Sequence, residues 1–455
     1  MKFLLQKFWF RYLVFSLIIL GFGARVFLAS YMSIWGSDEG WSYWSSSWYF
    51  NKSLSFIIHN PADFAHPPGY YVVLSFMRSV TDNLVILRFS SIFFVIVSAF
   101  LLWKIGIKYQ GRRYAKILVL AYSLSGYFLI TDWMIRGYAL TTTLIFCSIY
   151  LVVSYLTDDK FNYSKNKYLL ILLLIHTLGL YIDYSFWWYH LGLFCLTSFE
   201  LLFMRKVKDS LLSIYKLGVL IVAPLFFLVL HPNFFAIISK ARDDMDWAWL
   251  FANPNVFIPY FLGTTGLPIV TYISFGLVVL GIYITIKQRS NFLLVAYISS
   301  VLAFAISMLT TYLYSPLFHV RNLLVVGVAV VFLIAEGIYW SVKRGYYLGL
   351  IIVVICFVNT LLLLLFDSRS VWIDVYPWRY MIPRYHQSDN KYYMIDQSTQ
   401  IFFYNDIETP FKNWTLEYTL EGRDALFGIQ QKYVRGAPDL SLCVEILDPL
   451  WECNN

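Results

Sequence analysis

Long apolar stretches separated by short polar connections run along almost the whole chain. Runs of spanning length fall near 12–34, 84–103, 115–131, 137–156, 168–186, 187–204, 212–231, 256–286, 291–313, 322–342 and 346–366. A helix needs about 20 mostly apolar residues to cross a bilayer, so the pattern predicts a polytopic α-helical membrane protein with about eleven transmembrane helices. After residue 366 the pattern changes to short alternating runs, Lys391-Tyr392-Tyr393-Met394-Ile395 and Gln400-Ile401-Phe402-Phe403-Tyr404, whose period of two predicts strands.

Basic residues set the expected orientation, because loops retained in the cytoplasm carry Lys and Arg in excess. They gather in alternate connections: Lys2, Lys7 and Arg11; Lys104 to Lys116; Lys160 to Lys167; Arg205, Lys206 and Lys208; Lys287 and Arg289; Lys343 and Arg344. An inside N-terminus and an outside tail satisfy all of them. Counting the stretch that begins His66-Pro67-Pro68-Gly69-Tyr70-Tyr71 as a further span would put the Lys104 to Lys116 cluster outside. Residues 67–80 are therefore expected to form a short helix in the outer interface, within a first outer loop of about 35–83. The first apolar run is too long for a signal peptide and lacks a clear small-residue cleavage site, so it is expected to be an uncleaved first helix.

Composition agrees with this. Of 455 residues, 59% are hydrophobic, 20% aromatic and 14% charged, with mean hydropathy +0.62, whereas soluble domains average about 25% charged. The net charge of +8 is accounted for by topology and carries no argument for a nucleic-acid partner. Two domains are expected: 1–366 in the membrane, and 367–455 as a small extracytoplasmic α/β or β domain, where 13 acidic face 8 basic residues. Cys147, Cys195 and Cys356 fall in spans and read as packing residues. Cys443 and Cys453 lie in the tail, and their spacing leaves both a disulfide and two free thiols open. No CxxC, phosphate-binding glycine loop or HExxH occurs.

Charge placement then changes the picture. Ionisable groups in or at the edge of spans cost about 2.5–3.5 kcal/mol on insertion scales, yet Arg25, Asp38, Glu39, Arg88, Asp132, Arg136, Asp183, Lys240, Arg242 and Arg321 all fall at the outer ends of runs. Such a gathering implies a shared polar cavity. Ser37 suits a helix N-cap and Asp38 and Glu39 suit a first turn; Trp41, Trp44 and Trp48 then share one face, as in a helix lying on the interface. His59, Asp63 and His66 imitate a metal cluster, but three ligand types scattered through a proline-containing loop are weak evidence for one. Asp243, Asp244 and Asp246 have the chemistry to hold a divalent cation, and they also neutralise Lys240 and Arg242 beside them; no cofactor is required by any motif. His176 reads as a packed histidine, and Glu200 and Glu336, near cytoplasmic helix ends, as surface-exposed.

Four stretches together resemble the polytopic GT-C glycosyltransferases, in particular the branch of protein O-mannosyltransferases and the lipid A aminoarabinose transferase. Arg25 through Ile34-Trp35-Gly36-Ser37-Asp38-Glu39 is similar to that family's first-helix exit. His66-Pro67-Pro68-Gly69-Tyr70-Tyr71 resembles its His-Pro-Pro-Leu-Tyr-Tyr, Arg88-Phe89-Ser90-Ser91 its Arg-Leu-Pro-Ser, and Arg136-Gly137-Tyr138-Ala139-Leu140 its Arg-Pro/Met-Tyr-Ala-Leu. The likeness covers about 20–190. The chain departs from it where the family commonly has Glu two residues before that arginine: Met134 stands there, and Asp132 lies two positions further back. Asp183, in Leu180-Tyr181-Ile182-Asp183-Tyr184, replaces a family histidine, and Ser315 to Arg321 resembles a Pro-x-x-x-x-Arg-Tyr turn with Asn322 in place of the tyrosine.

The resemblance implies a GT-C-like fold, a polyprenyl-phosphate sugar donor, and inverting transfer to an extracytoplasmic glycan, lipid-linked saccharide or protein. An attacking hydroxyl needs a carboxylate base; Asp38 is the candidate, with Glu39 orienting the acceptor or the loop. Departing phosphate gains charge, which calls for cations; Arg136 and Arg321 lead, with Arg88, Lys240 and Arg242 behind them. His66, Asp132, Tyr138 and Asp183 are accessory or acceptor-side candidates, and the outer loop at about 232–257 is expected to close over the donor. Rival readings are a ligase or polymerase using a pyrophosphate-linked donor, and a transporter; transporters commonly show repeats with broken helices near the midplane, whereas the charges here gather at one face.

Overall fold

The structure is a computed structural model. It describes residues 2–31, 39, 42–43, 45–46, 49, 52–59, 66–81, 83–157, 165–203, 207–232, 254–288, 300–302, 304–306, 308–309, 323–366, 391–394, 443–447 and 450–453. These residues form fourteen helices. They are α1 Lys2–Tyr31, α2 Leu54–His59, α3 Gly69–Arg78, α4 Leu84–Gln110, α5 Arg112–Ser123, α6 Gly126–Thr131 and α7 Tyr138–Thr157, then α8 Lys165–Ile182, α9 Ser185–Phe203, α10 Val207–Leu230, α11 Pro254–Leu262, α12 Pro268–Gln288, α13 Leu324–Lys343 and α14 Leu348–Phe366.

The protein is an integral membrane protein. Among the described residues, five helices (α1, α4, α12, α13 and α14) are long and apolar enough to cross a bilayer, and shorter apolar helices lie within α7, α8 and α10. The expected number of eleven is not reached by this measure. Most of 291–313 lies outside the described residues, and two expected spans are each split into two helices. The run 115–131 breaks between α5 and α6, where Ser125 adopts extended backbone (φ −64°, ψ 120°) and its hydroxyl accepts from the Phe128 N–H as an N-cap. The run 256–286 breaks between α11 and α12 at Gly263 and Gly266, both in left-handed backbone (φ 69° and 78°) that side-chain-bearing residues rarely adopt. Uniform hydrophobicity hides such breaks, because an apolar residue at a break looks like one in a helix.

Among the described residues the largest apolar cluster draws on α1, α4 to α11, α13 and α14, with smaller clusters beside it. Helix α13 is the most interior of the spans, with 67% of its apolar window buried against 28% for α12. Two polar interiors interrupt this packing. His176 stacks in a chain through α7 to α10, its Nδ1 2.8 Å from His190 Nδ1 and its Nε2 3.0 Å from Ser148 Oγ, as expected of a packed histidine. Glu336 departs from expectation: it is fully buried, and the Gln110 amide donates to both of its oxygens at 3.0 and 3.3 Å. Although only two turns from the end of α13, it belongs to the face that packs on α5, beside the α4–α5 turn, so helix position alone misjudged its exposure.

In the tail the described residues form a three-stranded antiparallel sheet, β1 Lys391–Met394, β2 Cys443–Leu447 and β3 Leu450–Cys453, in the order β1-β3-β2. The strand expected at 391–395 is present as β1; that at 400–404 lies outside the described residues. Cys443 and Cys453 are register partners across β2 and β3.

The short helix expected over 67–80 is present as α3, and its seat explains one residue of the His-Pro-Pro-Gly motif. Gly69 opens α3 against the end of α8, where a Cβ would run into the carbonyl of Tyr181. Replacing a helical glycine by alanine ordinarily stabilises by up to ~1 kcal/mol, but here the clash reverses the sign. Gly69→Ala is expected to destabilise by about 1–3 kcal/mol, as overpacking does, seen as a lowered unfolding temperature of the full chain in detergent; an unchanged or raised value contradicts the close seat.

Candidate functional site

The turn between α6 and α7, residues 132–137, is fastened residue by residue to different parts of the fold. At its start, the Tyr122 hydroxyl donates to Asp132 Oδ2 at 2.8 Å, and Arg25 Nε lies 3.5 Å from the same oxygen. Arg25 is itself buried at the end of α5, where its Nη1 donates to the carbonyls of Ser123 (2.5 Å) and Gly21 (3.0 Å) and its Nη2 to that of Tyr122 (3.2 Å). A helix C-terminus leaves carbonyls without amide partners and carries partial negative charge, which is why a buried cation is stable there. Burial pushes the Asp132 carboxyl up to about 6, against the opposing pull of Arg25 and the Tyr122 hydrogen bond.

The next residues meet α4. The Arg88 guanidinium lies over the Trp133 ring, 4.9 Å from its centroid, and Ser91 Oγ donates to the Met134 carbonyl at 2.7 Å. The Ile135 N–H donates to Glu39 Oε1 at 2.8 Å. Glu39 also takes both arms of Arg88: Nε donates to Oε1 at 2.9 Å, and Nη2 donates to Oε2. Both side chains are fully buried, and Arg88 Nη1 donates further to the Ala29 carbonyl at 3.3 Å. A desolvated carboxylate is stable only when paired and hydrogen-bonded, and three donors from two elements meet that requirement here.

Arg136 turns the other way. Its Nη1 donates to Ser42 Oγ at 3.2 Å and to the Tyr71 hydroxyl at 3.3 Å, so it joins the 39–49 segment to α3. Gly137 packs on Asp183, where a Cβ would stand 3.3 Å from Oδ2. Asp183 Oδ1 accepts from the Ser185 N–H at 2.8 Å, at the start of α9, and its Oδ2 lies 4.0 Å from His66 Nδ1. Tyr138 is buried at the start of α7, within electrostatic reach of Tyr127 and Tyr260.

Of the residues singled out in the sequence, Glu39, His66, Arg88, Asp132, Arg136, Tyr138 and Asp183 are therefore brought to one end of the bundle around one turn. Asp38, Lys240, Arg242 and Arg321 lie outside the described residues, as do the tryptophans at 41, 44 and 48 and positions 233–253 of the loop at 232–257. Glu39, expected to orient the acceptor or the loop, and Arg88, expected among the cations of the donor phosphate, are partners of each other. His66 and Asp183 approach, but among the described residues no third His, Cys, Asp or Glu completes a metal-ligand group, and Asp63 lies outside them. Contributors that went unnoticed in the sequence include Ser42, Tyr71, Ser91 and Tyr122. Tyr71 and Ser91 stand inside the quoted motifs; Ser42 and Tyr122 carry no local signal.

The buried pair makes a stability prediction. Glu39→Ala or Arg88→Ala leaves the other charge buried without its counter-ion, so each is expected to cost about 3–5 kcal/mol. The double variant is expected to lose less than the two losses added together. Thermal unfolding of the four forms in detergent closes the cycle, and strict additivity would contradict the pairing.

The sequence matches no protein-family model and no curated protein. Solved structures do align with it. ArnT from Cupriavidus metallidurans, in a structure bound to undecaprenyl phosphate, aligns at TM-score 0.52 and 11% identity over 75% of this chain and 62% of its own. The Archaeoglobus fulgidus oligosaccharyltransferase, in a complex with Zn and sulfate, aligns at TM-score 0.48 and 12% identity over 86% of this chain and 57% of its own. The chain thus spans less than two thirds of the length of either. What the chain has in common with ArnT is the fold of its membrane-embedded helices.

Proposed function

We propose that the protein is a membrane glycosyltransferase that moves a sugar from a polyprenyl-phosphate-linked donor to an extracytoplasmic acceptor, a glycan, lipid-linked saccharide or protein, with inversion. The observation that carries this is the anchoring of Glu39. Its three hydrogen bonds to Arg88 and the Ile135 N–H tie the chain one peptide bond from Asp38 to the turn that presents Arg136. In this reading the piece of chain before Glu39 supplies the carboxylate and the neighbouring turn supplies the cation. The fold shared with ArnT, whose structure holds undecaprenyl phosphate, supports a lipid phosphate as the group the cation meets.

In this reading the acceptor oxygen attacks the anomeric carbon and forms the new glycosidic bond as the bond from that carbon to phosphate oxygen breaks. The hydroxyl proton passes to the Asp38 carboxylate, and the electron pair leaves with polyprenyl phosphate. Negative charge grows on the phosphate along the way, so a cation that binds it more strongly in the transition state than in the ground state lowers the barrier. Arg136 takes that role, with Arg321, Lys240 and Arg242 as further cations on the donor side. Arg88 and Glu39 act on the loop rather than on substrate, since each already occupies the other. Asp132 holds Arg25 and the start of the turn, and His66 with Asp183 borders the acceptor side. The membrane segments lie with the N-terminus in the cytoplasm and this site on the opposite face.

Two measurements test the assignment. Asp38→Asn is expected to abolish sugar incorporation in isolated membranes while membrane insertion and unfolding temperature stay at wild type; near-normal incorporation refutes the base. Arg136→Ala is expected to lower kcat by about 10²–10³, the scale of losing one transition-state contact, with a much smaller loss in donor binding. Running the wild type with labelled polyprenyl-phosphate and polyprenyl-pyrophosphate sugars identifies the donor class: product from the pyrophosphate alone would make the protein a ligase or polymerase, and no new glycosidic bond from either would leave a transporter.

A further inference from the structure

Glu39 and Ser42 are held from one side, by Arg88 and Arg136. A third arginine, assigned no part in the chemistry, holds the same segment further along. Arg78 closes α3, and its Nη1 donates to the Tyr43 carbonyl at 2.7 Å and to Ser46 Oγ at 3.2 Å. Its guanidinium lies 3.4 Å from the centroid of the Tyr43 ring, and the Ser46 hydroxyl donates back to the Tyr43 carbonyl at 2.6 Å. Tyr43, Ser45, Ser46 and Tyr49 are all buried, and Tyr43 and Tyr49 share an apolar cluster with Tyr70, Tyr71 and Leu74 of α3.

A helical segment fixed at its first turn alone still has freedom to rotate and tilt about that point. Arg78 supplies the second point, and it does so from a helix that Gly69 seats directly on α8. We propose that Arg78 is a positioning residue for sugar transfer: by clamping Tyr43 and Ser46 it fixes the rotation of the 39–49 segment, and with it the backbone that leads into Asp38. The inference rests on the function proposed above. Stacking on a ring while donating along an edge needs a flat, multi-donor cation, which Arg is and Lys is not.

The test uses the full chain in detergent, with Arg78→Ala, Arg78→Lys and Tyr43→Leu. Hydrogen exchange over residues 39–49, retention of labelled polyprenyl phosphate, and kcat with a labelled polyprenyl-phosphate sugar are read on each. Arg78→Ala is expected to speed exchange in 39–49 and lower kcat about tenfold or more, the scale of a small misplacement of a reacting group, with donor retention within about twofold of wild type. Arg78→Lys is expected to rescue neither, and Tyr43→Leu to reproduce a part of both effects should Arg78→Ala fail to fold. Unchanged exchange over 39–49 overturns the clamp. Faster exchange with wild-type kcat, or with an equal loss of donor retention, overturns the positioning role. A wild type that transfers no sugar overturns the proposed function and the positioning role with it, while exchange still decides whether Arg78 holds the segment.

Discussion

A carboxylate with no exposed surface, deep among helix ends, is the constraint around which this end of the protein is arranged. Glu39 is stable there only because Arg88 meets both of its oxygens and the Ile135 N–H meets one again. Breaking a buried pair of this kind costs more than making it gains, since the survivor keeps its desolvation penalty and loses its counter-charge. The pair therefore acts less as a source of stability than as a demand for one geometry. Satisfying it brings α4, the 132–137 turn and Glu39 together.

The same logic is repeated around it with different chemistry. Arg25 is neutralised partly by Asp132 and partly by the carbonyl end of α5, so a single cation joins α1, α5 and the turn. Arg136 and Arg78 hold the 39–49 segment through hydroxyls, a carbonyl and a ring. Four arginines thus act on one small region, three of them on the same dozen residues. In a membrane protein, apolar side chains gain little by choosing one another over lipid, so polar contacts of this sort carry much of the specificity of helix placement.

That arrangement bears on how a transferase of the proposed kind works. A general base is useful only within hydrogen-bond reach of the proton it takes, which requires the backbone that carries it to be held in place. Glu39, immediately after Asp38 in the chain, is immobilised about as thoroughly as a side chain can be. The two adjacent acids divide the work accordingly, one spent on structure and one left for chemistry in the proposed mechanism.

How much of this was legible in residue order depends on the range of each interaction. Apolar length decides whether a segment enters the bilayer, and that is a property of the segment itself, so the membrane class, most helix positions, the short helix α3 and the strand β1 were readable from the sequence. The gathering of charges at one end was readable too, because topology assigns each run's end to a side. The breaks at Leu124-Ser125 and Gly263-Gly266, the burial of Glu336, and above all the identity of partners were not. Glu39 and Arg88 stand 49 positions apart, Glu39 and Ile135 96, and Arg78 and Tyr43 35. Nothing in local pattern distinguishes an arginine that awaits a phosphate from one already occupied by a carboxylate; the difference lies in which groups share a water-free volume, and only the packed helices create that volume.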